Sequence, residues 1–153
     1  MARVVLVGLP GAGKTSVARE VAARWGCPAV DTDDLLGAPA ATLLREGGEA
    51  GFRRAEAAAL TSALDLDVVV STGGGVVTTE VARAALTGQV TVWLDADDDT
   101  LLARCADGDR PLLGDDPAGA LARLRAEREP LYARVARARV DASGPVAEVA
   151  DRV

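Results

Sequence analysis

Four apolar residues, Val4 to Val7, run straight into Gly8-Leu9-Pro10-Gly11-Ala12-Gly13-Lys14-Thr15, which satisfies GxxxxGK[ST] at every fixed position. The order dictates a strand, a tight loop and a helix. Glycines let successive backbone N–H groups turn inward around phosphate oxygens, and the following helix aims its positive N-terminal dipole at the same point. Gly11, Ala12, Gly13, Lys14, Thr15 and Ser16 are therefore expected to hold nucleotide phosphates, with Lys14 as a point charge and the Thr15 hydroxyl as a ligand for Mg²⁺. The chain has sixteen arginines and one lysine, and that lysine is Lys14. Val17, Val21 and Trp25 recur every four residues and predict the apolar face of the helix. A dinucleotide fingerprint is excluded, because GxGxxG laid on Gly11 and Gly13 would need glycine where Ser16 stands.

A chain of 153 residues fits one domain that buries a full core without staples. It contains no histidine, which removes imidazole bases, Ser-His triads and histidine metal sites, and leaves proton transfer to carboxylates. Cys27 and Cys105 fit neither a metal nor a redox spacing and are expected to be reduced thiols. The net charge of −6 argues against a nucleic-acid partner. No apolar run approaches a membrane span and no signal pattern precedes the first strand, so a soluble, cytoplasmic protein with no membrane partner is expected.

Further along, Cys27-Pro28-Ala29-Val30 predicts a short strand ending in Asp31-Thr32-Asp33-Asp34, at the sheet edge where ligands bind. Asp31 and Asp33 would alternate on an extended segment and serve different partners: one a magnesium-bound water, the other a hydroxyl nucleophile. Residues 37 to 51 are rich in glycine and alanine and suggest a small mobile excursion; Phe52 to Leu64 predicts a helix in which Arg53 can pair with Glu56. A buried-type strand, Asp67 to Thr72, runs into Gly73-Gly74-Gly75, where a ligand could touch backbone. A helix over Val76 to Leu86, a strand over Val90 to Asp95 and a helix over Asp97 to Cys105 complete an alternation that means parallel βαβ units. Residues 106 to 117 are punctuation throughout and suggest a lid carrying Arg110. A helix from Ala118 to Arg128, an interruption at Pro130, a helical resumption to Ala138, an edge strand at Arg139 to Asp141 and a last helix from Pro145 end the chain. Arginine suits both a bidentate grip on a carboxylate and neutralisation of a transferring phosphoryl group, which singles out Arg53, Arg110 and Arg128.

GLPGAGKTS, DTD, FRRAE, STGGG, RPLL and REPLY occur in the order and near the spacings of the shikimate kinases, which the chain resembles over nearly its whole length. The resemblance implies an α/β, three-layer P-loop kinase fold with a five-stranded parallel sheet in order 2-3-1-4-5. It would be one domain over residues 1–153, with a substrate-binding excursion at about 33–60 and a lid at about 106–117. The implied activity is ATP-dependent, Mg²⁺-assisted phosphorylation of the shikimate 3-hydroxyl, a step toward chorismate and aromatic amino acids, by a monomer whose partners are ATP and shikimate. Asp31 would stand behind the metal and Asp33 would bind substrate hydroxyls and act as base. Arg53 and Arg128 would grip the carboxylate, Gly73, Gly74 and Gly75 would line the substrate, Arg104 would face adenine and Arg110 would close on the phosphates. The chain departs from the pattern in a shorter excursion, in Leu44 where the family has an aromatic residue, and in a trimmed segment after Asp141. Another kinase of the same fold, or a nucleotide-binding regulator without catalysis, are the alternatives.

Overall fold

β-Branched runs with no polar face form strands covered on both sides, and Val4–Val7 (β1) is buried at all four positions. A computed structural model describes residues 1–107 and 113–153. β1 lies in the middle of a five-stranded parallel sheet with Ala29–Asp31 (β2), Val69–Ser71 (β3), Thr91–Asp95 (β4) and Ala138–Asp141 (β5), in the order β2-β3-β1-β4-β5. Val5 is aligned with Val70 on one side and Thr91 on the other. The C-terminal ends of β1, β2 and β3 therefore open side by side.

The connecting helices are Lys14–Trp25 (α1), Ala40–Leu64 (α2), Glu80–Thr87 (α3), Asp98–Ala106 (α4), Pro117–Val135 (α5) and Val146–Arg152 (α6). α1 packs against α6, and α3 packs against both α2 and α5, giving helical layers around the sheet. Side-chain caps start three of these helices: Thr79 for α3, Asp97 for α4 and Asp116 for α5. α1 has none. It begins after Gly13, held left-handed at φ 86°, so its first N–H groups are left to a ligand. Among the described residues no helix is long and apolar enough to cross a membrane.

Several local expectations are corrected. Only Asp31 of the acidic cluster is in the strand; Thr32–Leu35 is a 3₁₀ turn, because the Asp31 carboxylate accepts from the Asp33 N–H at 2.9 Å and curls the chain. Most of residues 37 to 51 is helical. α2 starts at Ala40 and kinks at Gly48, whose φ of 65° is outside the helical region. The stretch after the triple glycine divides into a 3₁₀ turn, Val76–Thr78, and α3, because Thr79 stops one and caps the other. Pro130 does not interrupt α5. It removes one backbone donor, and burial of Tyr132 and Val135 on the following turn offsets that loss. Trp25 ends the α1 stripe but is 42% exposed.

Candidate active site

The phosphate loop leaves β1 at Gly8 and closes on itself, with the Ala12 N–H donating to the Leu9 carbonyl at 3.1 Å. Lys14 Nζ lies under this arch, donating to the carbonyls of Gly8 at 2.7 Å and Leu9 at 3.1 Å. Although the residue keeps some solvent contact, desolvation of the ammonium lowers its pKa to about 8, against the opposing pull of Asp31 and Asp33. Thr15 Oγ1 donates to Asp31 Oδ2 at 2.8 Å, and the hydroxyl of buried Ser71 donates to the same oxygen at 3.0 Å. The start of α1 and the ends of β2 and β3 thus meet through one carboxylate.

A pocket of about 520 Å³ opens beside this loop, and Asp33, Arg53, Glu56, the triple glycine and Arg128 line it. Each glycine makes room for a different side chain. A Cβ on Gly73 would lie 2.7 Å from Glu56 Oε1 and 3.3 Å from Asp33 Oδ1, and one on Gly74 would lie 3.2 Å from Arg128 Nη1. On Gly75 it would lie 2.7 Å from both Cζ and Nη2 of Arg53. The turn is glycine because four charged groups crowd it, and the sequence run is legible only once they are placed.

Arg53 donates from Nη1 to Glu56 Oε2 at 2.8 Å, the pair anticipated from their spacing on α2. Glu56 is only 3% exposed, so the two charges need each other. The Nε atoms of Arg53 and Arg128 are buried with no hydrogen-bond partner. Both side chains line the pocket, and two guanidinium groups in one pocket suit an anion. Arg128 makes no ion pair among the described residues.

On the other flank of the loop, a second pocket of about 400 Å³ lies between Gly11, Arg104 and Pro145. Arg104 donates from Nη1 to the Gly11 carbonyl at 3.2 Å and from Nη2 to the Ala142 carbonyl at 2.8 Å, strapping the segment after β5 to the phosphate loop. A larger groove of about 880 Å³ lies outside α2, toward Thr78 and Val81. It includes Arg53 but no part of the phosphate loop, so the smaller pocket is the chemical site.

The structure therefore brings together Gly11 to Ser16, Asp31, Asp33, Arg53, Gly73 to Gly75 and Arg128, and sets Arg104 beside the loop. Arg110 lies outside the described residues. Sequence reasoning missed Glu56 and Tyr132 as members of the site. Their signals were spacings: Glu56 is three residues after Arg53 and Tyr132 four after Arg128, each on the same helical face. Among the described residues no cluster of three or more acids or thiols could hold a metal ion. The Thr15–Asp31 pair still offers hard oxygen donors of the kind Mg²⁺ takes when water and phosphate complete its shell.

A family model described as shikimate kinase matches residues 10–153. The shikimate kinase of Symbiobacterium thermophilum is 44% identical over 147 residues, covering 90% of this chain and 84% of that protein. That of Corynebacterium diphtheriae is 40% identical over 156 residues, covering 97% and 90%. Among solved structures, a shikimate kinase from Acinetobacter baumannii in complex with shikimate superposes with a TM-score of 0.89 at 32% identity, covering 97% of this chain and 88% of that one.

Proposed function

The chain belongs to the shikimate kinase family, and from that premise we propose how its pocket moves the γ-phosphoryl group of ATP to the 3-hydroxyl of shikimate. The observation that carries the reading is that Arg53 and Arg128 line the same pocket as Asp33 and the phosphate loop. Shikimate has one carboxylate on a ring of hydroxyls. Arg53 and Arg128 offer planar donors to the carboxylate, and Asp33 offers an acceptor to the hydroxyls.

In this reading the N–H groups of Gly11 to Ser16 and the Lys14 ammonium bind the phosphates, and Lys14 exchanges its loop carbonyls for phosphate oxygens. Asp33 takes the proton of the 3-hydroxyl as that oxygen bonds to phosphorus and the bond to the ADP oxygen breaks. Lys14 stabilises the charge that develops on the phosphates. Thr15, backed by Asp31, would hold Mg²⁺, which supplies charge neutralisation when bound. Gly73 to Gly75 let the substrate approach backbone, and Arg104 borders adenine. The family resemblance alone assigns Arg110 to the transferring phosphoryl group. The protein is further read as one kinase domain over residues 1–153, with a substrate-binding part at about 33–60 and a lid at about 106–117. It is read as a cytoplasmic monomer without nucleic-acid or membrane partners, and its net charge of −6 disfavours a phosphate-backbone partner.

The test is coupled ADP release over a panel of shikimate, other hydroxy acids, gluconate and nucleoside monophosphates. Shikimate alone should give substrate-dependent turnover. Faster turnover of any other panel member would overturn the assignment.

A further inference from the structure

Tyr132 is the chain's single tyrosine. It is fully buried, and its hydroxyl donates to the Gly74 carbonyl at 2.5 Å. Arg128 precedes it by one helical turn on α5, and the guanidinium neighbours the same hydroxyl. The phenol ring is tilted against Trp93, with centroids 5.8 Å apart, which limits how far the hydroxyl can swing.

Gly74 is where the parts of the site converge. A Cβ there would meet Arg128 Nη1 at 3.2 Å, Pro10 Cδ at 3.4 Å and the Gly8 carbonyl at 3.5 Å, so the turn touches both the carboxylate grip and the phosphate loop. A phenylalanine at position 132 would fill the same space and keep the ring contact. What it would lack is the hydroxyl that ties α5 to the glycine turn by a hydrogen bond.

We propose that Tyr132 is a positioning residue for shikimate: its hydroxyl, bonded to the Gly74 carbonyl and set beside Arg128, holds the turn and the guanidinium in the arrangement that receives the substrate carboxylate. This rests on the assignment of Arg128 to that carboxylate. Pre-organisation of this kind removes an ordering cost from binding. It acts equally on ground state and transition state, so its loss falls on KM and not on kcat. A hydroxyl that served stability alone would change the melting temperature and leave KM for shikimate where it was.

The experiment compares Tyr132→Phe with Trp93→Phe, which disturbs the ring packing and spares the hydroxyl. Tyr132→Phe should raise KM for shikimate by about tenfold, the scale of one well-made hydrogen bond in a charged site, with kcat and KM for ATP within twofold of wild type. Trp93→Phe should lower the melting temperature with KM for shikimate nearly unchanged. An unchanged KM in Tyr132→Phe, or an equal rise in both variants, overturns the inference. Should Tyr132→Phe not fold, biosynthetic replacement of tyrosine by 3-fluorotyrosine labels this one position. Its ¹⁹F resonance should move on titration with shikimate and saturate at the Kd that the kinetics give. A static resonance in an enzyme that still turns over shikimate overturns the proposal. If unlabelled wild type shows no shikimate-dependent turnover, it is the carboxylate assignment that fails.

Discussion

Gly75→Ala tests the proposed carboxylate grip by displacing Arg53 without straining the backbone. Gly75 has φ −93° and ψ 4°, open to alanine, so the substitution strains no backbone and trims unfolded-state entropy by about 0.4–1 kcal/mol. The new methyl would fall on the Arg53 guanidinium, 2.7 Å from Cζ and from Nη2. Such contacts relax near 3.5–4 Å, so the guanidinium must retreat by roughly 1 Å. It is the end of a flexible side chain, and it will move before the backbone does. A retreat of that size breaks a charge-assisted hydrogen bond to the ligand, a loss of about 1.5–3 kcal/mol, or roughly 10- to 150-fold in KM for shikimate. The assay is steady-state kinetics and thermal unfolding, run with shikimate and with its neutral carboxamide. Expected are a raised KM with kcat nearly retained, a much smaller loss with the carboxamide, which has no anion to grip, and a lowered melting temperature, because the retreat loosens the 2.8 Å bond to buried Glu56. Gly74→Ala, whose methyl would meet its neighbours at 3.2–3.5 Å, should be milder. A KM within twofold of wild type, or equal losses for acid and amide, would refute the assignment of Arg53.

Two further outcomes follow from the loop and the acidic cluster. With the Lys14 pKa lowered to about 8 in the free protein, the ammonium is increasingly absent above that pH, and ADP binding measured in EDTA should weaken roughly tenfold from pH 7.5 to 9. Because the unfolded lysine keeps its proton to about pH 10.5, this group makes the ligand-free fold more stable as pH rises from 8 to 10.5 while the ligand's stabilising effect shrinks; a Lys14→Arg variant with the same pH dependence of binding would rule Lys14 out. Asp33 lines the pocket and Asp34 does not, and neighbours on a 3₁₀ turn point about 120° apart, so Asp33→Asn should lower kcat/KM by about 10²- to 10⁴-fold and Asp34→Asn by less than threefold. Equal losses would count against Asp33 as base.

The features legible in the sequence were those with short-range causes. The phosphate loop is a contiguous motif, and the strands of the sheet are apolar runs bounded by turn residues, so element order and site edge could be read directly. Misreadings arose where tertiary contacts outweighed local signals. Pro130 looked like a break, but a buried Tyr132 and Val135 hold the next turn of α5 in place. The glycines of residues 37 to 51 suggested a small mobile excursion, yet within α2 only Gly48 departs from helical geometry, and the alanine, leucine and arginine around it are strong helix formers. The DTD cluster could have been read better from its own chemistry. An aspartate two residues before a free N–H favours a side-chain-closed turn, and Asp31 makes one.

The two arginines of the pocket are not equivalent, and the difference follows from where each is rooted. Arg53 stands on α2 with Glu56 one turn on, so its charge is balanced before any ligand arrives, and the buried glutamate in turn depends on it. Arg128 stands on α5 with an unpartnered Nε and no ion pair among the described residues. A carboxylate entering the pocket therefore shares Arg53 with an existing partner but supplies Arg128 with the anion it lacks. On the proposed reading the larger gain on binding lies at Arg128, because there the ligand does not compete with a carboxylate already in place. Glu56 has the complementary task of keeping Arg53 in one rotamer against Gly75, so that the weaker partner is still correctly aimed. The triple glycine is what allows both arrangements at once, since any side chain on that turn would occupy the space of one charge or the other.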